Sequence, residues 1–330
     1  MSRLLFFLIA IIPLVCCSGT KNYIDQSKTH NLYPAEINGK WGYINGNGEV
    51  VINPDYEGAF EFSDGRALVQ LNGKWGYIDR DNNIVVDAVF EEARKFSEVY
   101  AQVKISSGYG YIDRSGKMVI NPYYEKTYPF SEGLASVKID GLWGYIDKEG
   151  EIAIEPAFDQ AYSFSSGLAL VVKDDKAGFI KKNGKYFIKP RYLWAKGYSE
   201  GLASVRTYSG YGFINRFGDS VLSTDFDGIG HFSQGMAYFE RSGKKGFINK
   251  KGFIVVKPIY DNVGSFSEGL ARVKLNGKWG FIDKKGNVVI KPKYVTAVSF
   301  YNRLALVLLN GGDWGYIDYK GNLVWKSDNR

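Results

Sequence analysis

Along most of this chain apolar and polar residues alternate with a period of two, in short stretches that return in the same order. In one copy the stretches are LARVKL (270–275), KWGFID (278–283) and NVVIKP (287–292). Period-two alternation puts successive side chains on opposite faces of a strand, and no segment sustains the 3.6-residue period of a helix. Each copy therefore reads as three short strands. The turns agree with this. NGK, beginning at Asn38, Asn72 and Asn276, joins the first strand tightly to the second. Between the second and third, Asn or Asp is followed three residues later by Gly, as in Asn45/Gly48, Asp113/Gly116, Asp147/Gly150, Asn215/Gly218, Asn249/Gly252, Asp283/Gly286 and Asp318/Gly321. A capping side chain followed by a residue suited to positive φ signals a hairpin with a G1 bulge. Asn82 replaces the glycine in one copy and tolerates the same conformation.

The phrase at the centre of the unit, an aromatic or its substitute, then Gly, Tyr or Phe, and Ile, falls at Gly42, Gly76, Gly110, Gly144, Gly178, Gly212, Gly246, Gly280 and Gly315. Seven of the eight intervals are 34 residues and the last is 35, so repetition overrides the two-domain expectation for 330 residues. The helical repeat of the same length is excluded by Gly, Pro and β-branched residues at these positions. A constant glycine inside a strand predicts close approach, here of a neighbouring sheet or ring. A column of alanines (Ala67, Ala101, Ala135, Ala169, Ala203, Ala237, Ala271, Ala305) predicts the same for the first strand. Pro54 and its counterparts are expected to end the third strand by withholding a donor. Two recurring aromatics, at Tyr56 and Phe62 and their equivalents, are expected to fasten the long connection between units.

The predicted fold is all-β: about nine three-stranded antiparallel meanders in tandem. The first unit starts at its first strand (LYPAEIN, 32–38) and the last stops at its third (NLVW, 322–325), leaving no spare strand to clasp the two ends. The expectation is accordingly an open, twisted solenoid, with a closed β-propeller-like ring as the alternative. A transmembrane barrel is excluded by strands that are too short and carry Lys and Asp.

Composition adds little chemistry. Net charge is +7, read as alternating Lys, Asp and Glu through the repeats without a run of like charge, which argues against nucleic acid. There are two histidines, His30 and His231, with no partner spacing for a metal or a triad. Each turn offers a single carboxylate, too little for a metal. The SGYG segments at 107–110 and 209–212 are hairpins that lead into no helix, so they are not phosphate loops. Glu132, Glu200 and Glu268 recur in the FSEG loop, too dispersed for an acid–base pair and expected to stabilise turns. No enzyme and no cofactor is expected.

The N-terminus reads differently. Arg3 precedes an apolar run, 4–15, too short to cross a bilayer but suited to a signal-peptide core. It ends in PLVCCSG, which resembles the lipobox of bacterial lipoproteins, with Leu14 at −3 and Cys17 as the lipidated residue; Cys16 would put Pro13 at −3, a poorer match. Residues 1–16 are then the signal peptide, 17–30 a polar tether, 31–326 the repeat array and 327–330 a tail. The resemblance implies an exported protein, lipid-anchored in the cell envelope. Ser18 at +2, rather than Asp, points to the outer membrane. The repeats resemble the WG-repeat, or KWG-repeat, family of bacterial proteins, which implies a repeat scaffold and no common reaction.

What remains for function is surface. The candidate ligand-facing row is Trp41, Trp75, Tyr109, Trp143, Tyr211, Trp279 and Trp314, with the aromatic lost at Ala177 and Lys245. The alternative for the same row is burial between units. The functional expectation is a non-enzymatic envelope scaffold that binds a protein or peptide; the alternative is binding of glycan or peptidoglycan through the aromatic row.

Overall fold

A computed structural model describes residues 31–327, which contain strands and turns only. The signal-peptide core, Cys17, the tether, His30 and residues 328–330 lie outside the described residues. The repeats form nine separate antiparallel sheets, here blades 1–9 in chain order. Blade 4 is representative: a short strand Lys126–Thr127, then Ala135–Ile139, Leu142–Ile146 and Ile152–Phe158, hydrogen-bonded in that order. The unit is thus four-stranded rather than three-stranded. The extra strand comes from the connection before the FSEG loop, and only blade 1 (Tyr33–Ile37, Lys40–Ile44, Val50–Tyr56) lacks it among the described residues.

Two kinds of tight turn shape each blade. Two-residue turns with both residues at positive φ, such as Asn38/Gly39 and Glu132/Gly133, close the NGK hairpin and the FSEG loop. The third hairpin has the expected single positive φ, +84° at Gly48 and +66° at Asn82. The repeated glycine needs a different account from the one its sequence suggests. A Cβ on Gly144 would lie 2.5 Å from Ile154 O and 2.7 Å from Pro156 N, backbone of the same sheet. Pairing is Trp143↔Phe158 and then Tyr145↔Ile154, so the third strand carries two extra residues opposite Gly144. Glycine is required because this bulge presses on it. The proline sits inside the bulged strand, which runs on to Phe158, and does not end it.

Both faces of every blade are covered. Tyr145, Ile154 and Phe158 of blade 4 pack with Phe164, Ala169, Val171 and Ile180 of blade 5 in one buried cluster. Ile146, on the opposite face of its strand, packs with Tyr111 and Ile120 of blade 3 and with Phe130 of its own blade. Full burial of each such side chain contributes roughly 1.5–3 kcal/mol before chain entropy is counted, so every interface is a small hydrophobic core. The recurring aromatics do fasten the connection: Phe164 lies 5.0 Å from Tyr145, and the Tyr145 hydroxyl donates to Tyr162 O at 2.7 Å.

The same logic closes the molecule. Tyr33, Ala35 and Ile44 of blade 1 form a buried cluster with Leu304 and Tyr316 of blade 9, flanked by Val324 and Trp325. The Tyr316 hydroxyl donates to Pro34 O at 2.9 Å, and the Tyr33 hydroxyl donates to Asn302 O. Gly48 takes up against Val324 the position that Gly150 takes against Ile120. The nine blades therefore form a ring, a nine-bladed β-propeller, and not the open solenoid expected from the missing clasp. Closure uses side chains instead of a shared strand. Tyr33 occupies the place of the repeated alanine and supplies the ring that a preceding FSEG loop supplies elsewhere, 5.4 Å from Tyr316. Cavities of about 720 and 180 Å³ lie at the seam beside Tyr33 and Leu304.

Candidate functional site

Successive FSEG loops are stitched edge to edge around the ring. Ser63 Oγ donates to Phe96 O at 2.9 Å, Ser97 to Phe130 O at 2.9 Å, and the series continues to Ser267 and Phe300 O at 2.7 Å. The FSEG carboxylate adds a second stitch. Glu98 accepts from the backbone N–H of Glu132 at 2.5 Å and Gly133 at 2.9 Å, while Lys148 of the same neighbouring blade lies 3.4 Å away. Partial burial opposes ionisation of Glu98, but the Gly133 and Glu132 amides and Lys148 together hold its carboxyl below the usual range. Glu132 accepts from Gly167 N and Glu200 from Gly235 N, each with a lysine alongside (Lys182, Lys250), while Glu268 accepts from Arg303 N and from the Tyr319 hydroxyl. These carboxylates stabilise turns, and they do so across blade boundaries. A second set at the opposite turn was not apparent in the sequence: Glu57, Glu125, Asp159 and Asp227 accept from Gly73, Gly141, Asp174 and Ser242 N.

The aromatic row lies between the short strand and the core. Trp143 and Trp279 are buried, each 8% exposed, whereas Trp41, Trp75, Tyr109, Tyr211 and Trp314 are half-buried. Trp75 packs 5.5 Å from Phe60, Trp143 lies 5.3 Å from Tyr128, and the Arg272 guanidinium stands 4.9 Å over Trp279. The Tyr109 hydroxyl donates to Glu92 at 2.9 Å. Trp194 contacts Tyr211 of its own blade at 6.0 Å and pairs within the short strand 194–195.

Burial pushes the hydroxyls of Tyr43, Tyr77, Tyr111, Tyr145 and Tyr316 far above the usual phenol range, so they stay neutral donors to backbone oxygens. His231 is half-buried. Burial, reinforced by Lys196 and opposed by Glu200, lowers its pKa, and its ring faces Ser265 Oγ at 3.4 Å. Among the described residues no group of three or more His, Cys, Asp or Glu is placed to hold a metal.

The most exposed aromatics among the described residues lie outside this row and include Tyr208 and Tyr123 as well as two phenylalanines. Phe217 is 82% exposed and Phe253 66% exposed, at consecutive hairpins of blades 6 and 7, beside Arg216 and Lys251. These hairpins lie on the FSEG face: Lys250 Nζ donates to Glu200 O at 3.0 Å and Arg216 reaches Ser166 O at 3.5 Å. Sequence reasoning passed over both phenylalanines because they fall in turn positions that vary between copies.

The family model described as WG containing repeat matches eight successive segments, 41–75, 75–107, 109–143, 143–176, 178–208, 211–244, 246–279 and 279–312. No curated protein sequence matches the chain. Among solved structures, one described as the eukaryotic initiation factor superposes with a TM-score of 0.66 at 12% identity, over 90% of this chain and 95% of that one. The computationally designed Ika8 protein gives a TM-score of 0.50 at 11% identity, over 77% of this chain and 93% of its own. At such identities the likeness concerns the fold alone, and these neighbours are propellers.

Proposed function

The chain belongs to the family built from WG-containing repeats, and we propose that it is a non-enzymatic scaffold that binds a protein or peptide on the FSEG face of its propeller. The observation that carries this reading is the pair Phe217 and Phe253. Two phenylalanines at consecutive hairpin tips leave large rings in water and contribute nothing to the interface clusters of blades 6 and 7. Aromatic anchors flanked by cations suit a partner segment with apolar and acidic side chains. The rest of that face is tied up in inter-blade hydrogen bonds, so it offers a rigid frame around the two anchors. Export and lipidation at Cys17, with an outer-membrane location, belong to the same proposal and rest on the lipobox resemblance.

The test is a pull-down from envelope extract with the parent and with Phe217→Ser/Phe253→Ser. Specific partners captured by the parent and lost in the double variant support the reading; an unchanged set of partners overturns it. A second reading, glycan or peptidoglycan binding through the aromatic row, draws on the partial exposure of Trp41, Trp75 and Trp314. A glycan array, repeated with Trp75→Ala, separates it from the first.

A further inference from the structure

The repeat fails in an informative place. In blade 6 (Trp194–Ala195, Ala203–Thr207, Gly210–Ile214, Ser220–Thr224) the bulge opposite the repeated glycine is missing. Pairing is regular, with Tyr211↔Thr224, Gly212↔Ser223 and Phe213↔Leu222. Thr224 stands where six of the blades carry a proline in the bulge, although blade 2 keeps its bulge with Ala88 there. A Cβ on Gly212 would meet Leu222 O at 2.6 Å but nothing else nearer than 3.6 Å, so the space that the bulge fills elsewhere is open. A cavity of about 410 Å³ results, walled by Arg191 and Tyr192 of blade 5 and by strands of blade 6. Blade 9 also lacks this bulge, and a cavity of about 280 Å³ lies at the equivalent place. Its lining includes Leu309 and Leu323, whereas the blade 6 cavity is lined by Thr207, Ser209, Ser220, Ser223 and Thr224. The missing bulge opens both cavities, and the hydroxyls distinguish one.

We propose that the blade 6 cavity binds a sugar carrying an acidic group. Its volume suits a small ligand. Thr207 Oγ1 is occupied within its own turn, by Gly210 O at 3.2 Å, Ser209 N at 3.2 Å and Ser209 Oγ at 2.8 Å; the Thr224 hydroxyl donates to Tyr211 O at 3.0 Å, which leaves its lone pairs for donors on a ligand. A bare anion offers no such donors and an apolar molecule would strand them; sugar hydroxyls satisfy them. The acid is matched by Arg191, whose guanidinium is exposed at the cavity edge and held over the Tyr192 ring, with Nη2 donating to the Tyr192 hydroxyl at 2.9 Å. Charge at the scale of blades points the same way. Blades 5 and 6 (160–224) carry ten Lys and Arg against four acids, so this sector holds most of the chain's net +7. Such a field draws anions toward a cleft.

Calorimetric titration of the folded protein with glucuronic acid, glucose 6-phosphate, glucose and acetate tests the proposal. At least one acidic sugar is expected to bind roughly tenfold or more tighter than glucose, the scale of one charge-assisted hydrogen bond, and acetate not measurably. Carboxylate and phosphate sources are told apart by which acidic sugar binds. Arg191→Gln, at an exposed position, is expected to reduce acidic-sugar affinity to that of glucose, and Ser223→Trp to block the cavity; Lys293→Gln, in the blade 9 cavity, is expected to change nothing. Failure of both acidic sugars to bind, equal binding of glucose, or binding that survives Ser223→Trp would overturn the proposal. None of these results bears on the anchors at Phe217 and Phe253, which the pull-down tests separately.

Discussion

The bulge account of the repeated glycine can be tested by adding one carbon. In Gly144→Ala the new Cβ would sit 2.5 Å from Ile154 O, 2.7 Å from Pro156 N and 3.0 Å from Glu155 C. Ordinary contact lies near 3.4–4.0 Å, so the bulge must retreat by roughly 1 Å. It has little room to do so, because Ile154 and Phe158 on either side of it are 8% and 4% exposed and packed against blade 5. Overpacking of this kind costs about 1–3 kcal/mol. Against that, Ala restricts the unfolded chain more than Gly and returns about 0.4–1 kcal/mol, since Gly144 is not at positive φ. The net expectation is a loss of about 1–2 kcal/mol, read as a melting temperature lower by roughly 2–6 °C in a domain of this size.

Two controls isolate the cause. Gly46 has no heavy atom within 4 Å of its added Cβ and no positive φ, so Gly46→Ala should be neutral or slightly stabilising. Gly212→Ala meets one close oxygen in place of three close atoms and should cost less than Gly144→Ala. Thermal denaturation followed by circular dichroism gives all three. A melting temperature for Gly144→Ala at or above the parent, or equal losses at 144 and 46, would refute the argument that the sheet's own third strand forces glycine here.

Four further outcomes are expected. Tyr316→Leu removes the donor to buried Pro34 O and the ring against Tyr33, and should destabilise by about 2–4 kcal/mol in denaturant unfolding, whereas an open array would barely register a change at its end. Deleting one 34-residue unit, 135–168, removes a blade from a closed ring, and small-angle scattering should show an expanded or opened particle; a compact envelope of unchanged stability would count against closure. Asp283 is held below the usual carboxyl range, first by the Asn287 side chain and then by backbone amides, and Asp113 first by the Ser115 hydroxyl. Because these folded-state values are depressed, their contribution is present above the ordinary aspartate value near 4 and is lost as pH falls through the lower folded values, so melting temperature should drop between about pH 4.5 and 2.5 and drop less in Asp113→Asn/Asp283→Asn. Cys17→Ala should abolish lipid labelling and move the protein out of the membrane fraction; unchanged fractionation would refute the anchor.

The strands and turns of this fold are legible because each is encoded within about ten residues: period-two alternation, Asn-Gly pairs, and a glycine three residues after the capping Asn or Asp. The glycine inside the second strand was legible as a sign of close approach, but which backbone approaches depends on a two-residue register shift that alternation alone does not show. Closure was the least legible feature, and for a physical reason. It joins Tyr316 to Pro34 across 282 residues through side-chain fit, with Tyr33 in place of an alanine and Trp325 paired to Tyr316 where other blades pair an aliphatic residue. Each of these looks like a terminal irregularity until the opposite end of the chain is placed beside it. The same holds for blade 6. Thr224 reads as drift in one repeat, yet the strand that carries it pairs without the bulge, and the missing bulge opens the cavity lined by Thr207 and Ser223. In a repeat whose regular positions are committed to packing against neighbours, departures from the pattern are where space and unsatisfied hydrogen-bonding capacity can appear. Function in such a ring is therefore to be sought at Thr224, Phe217 and Phe253, the positions where its copies disagree, more than along the tryptophan column where they agree.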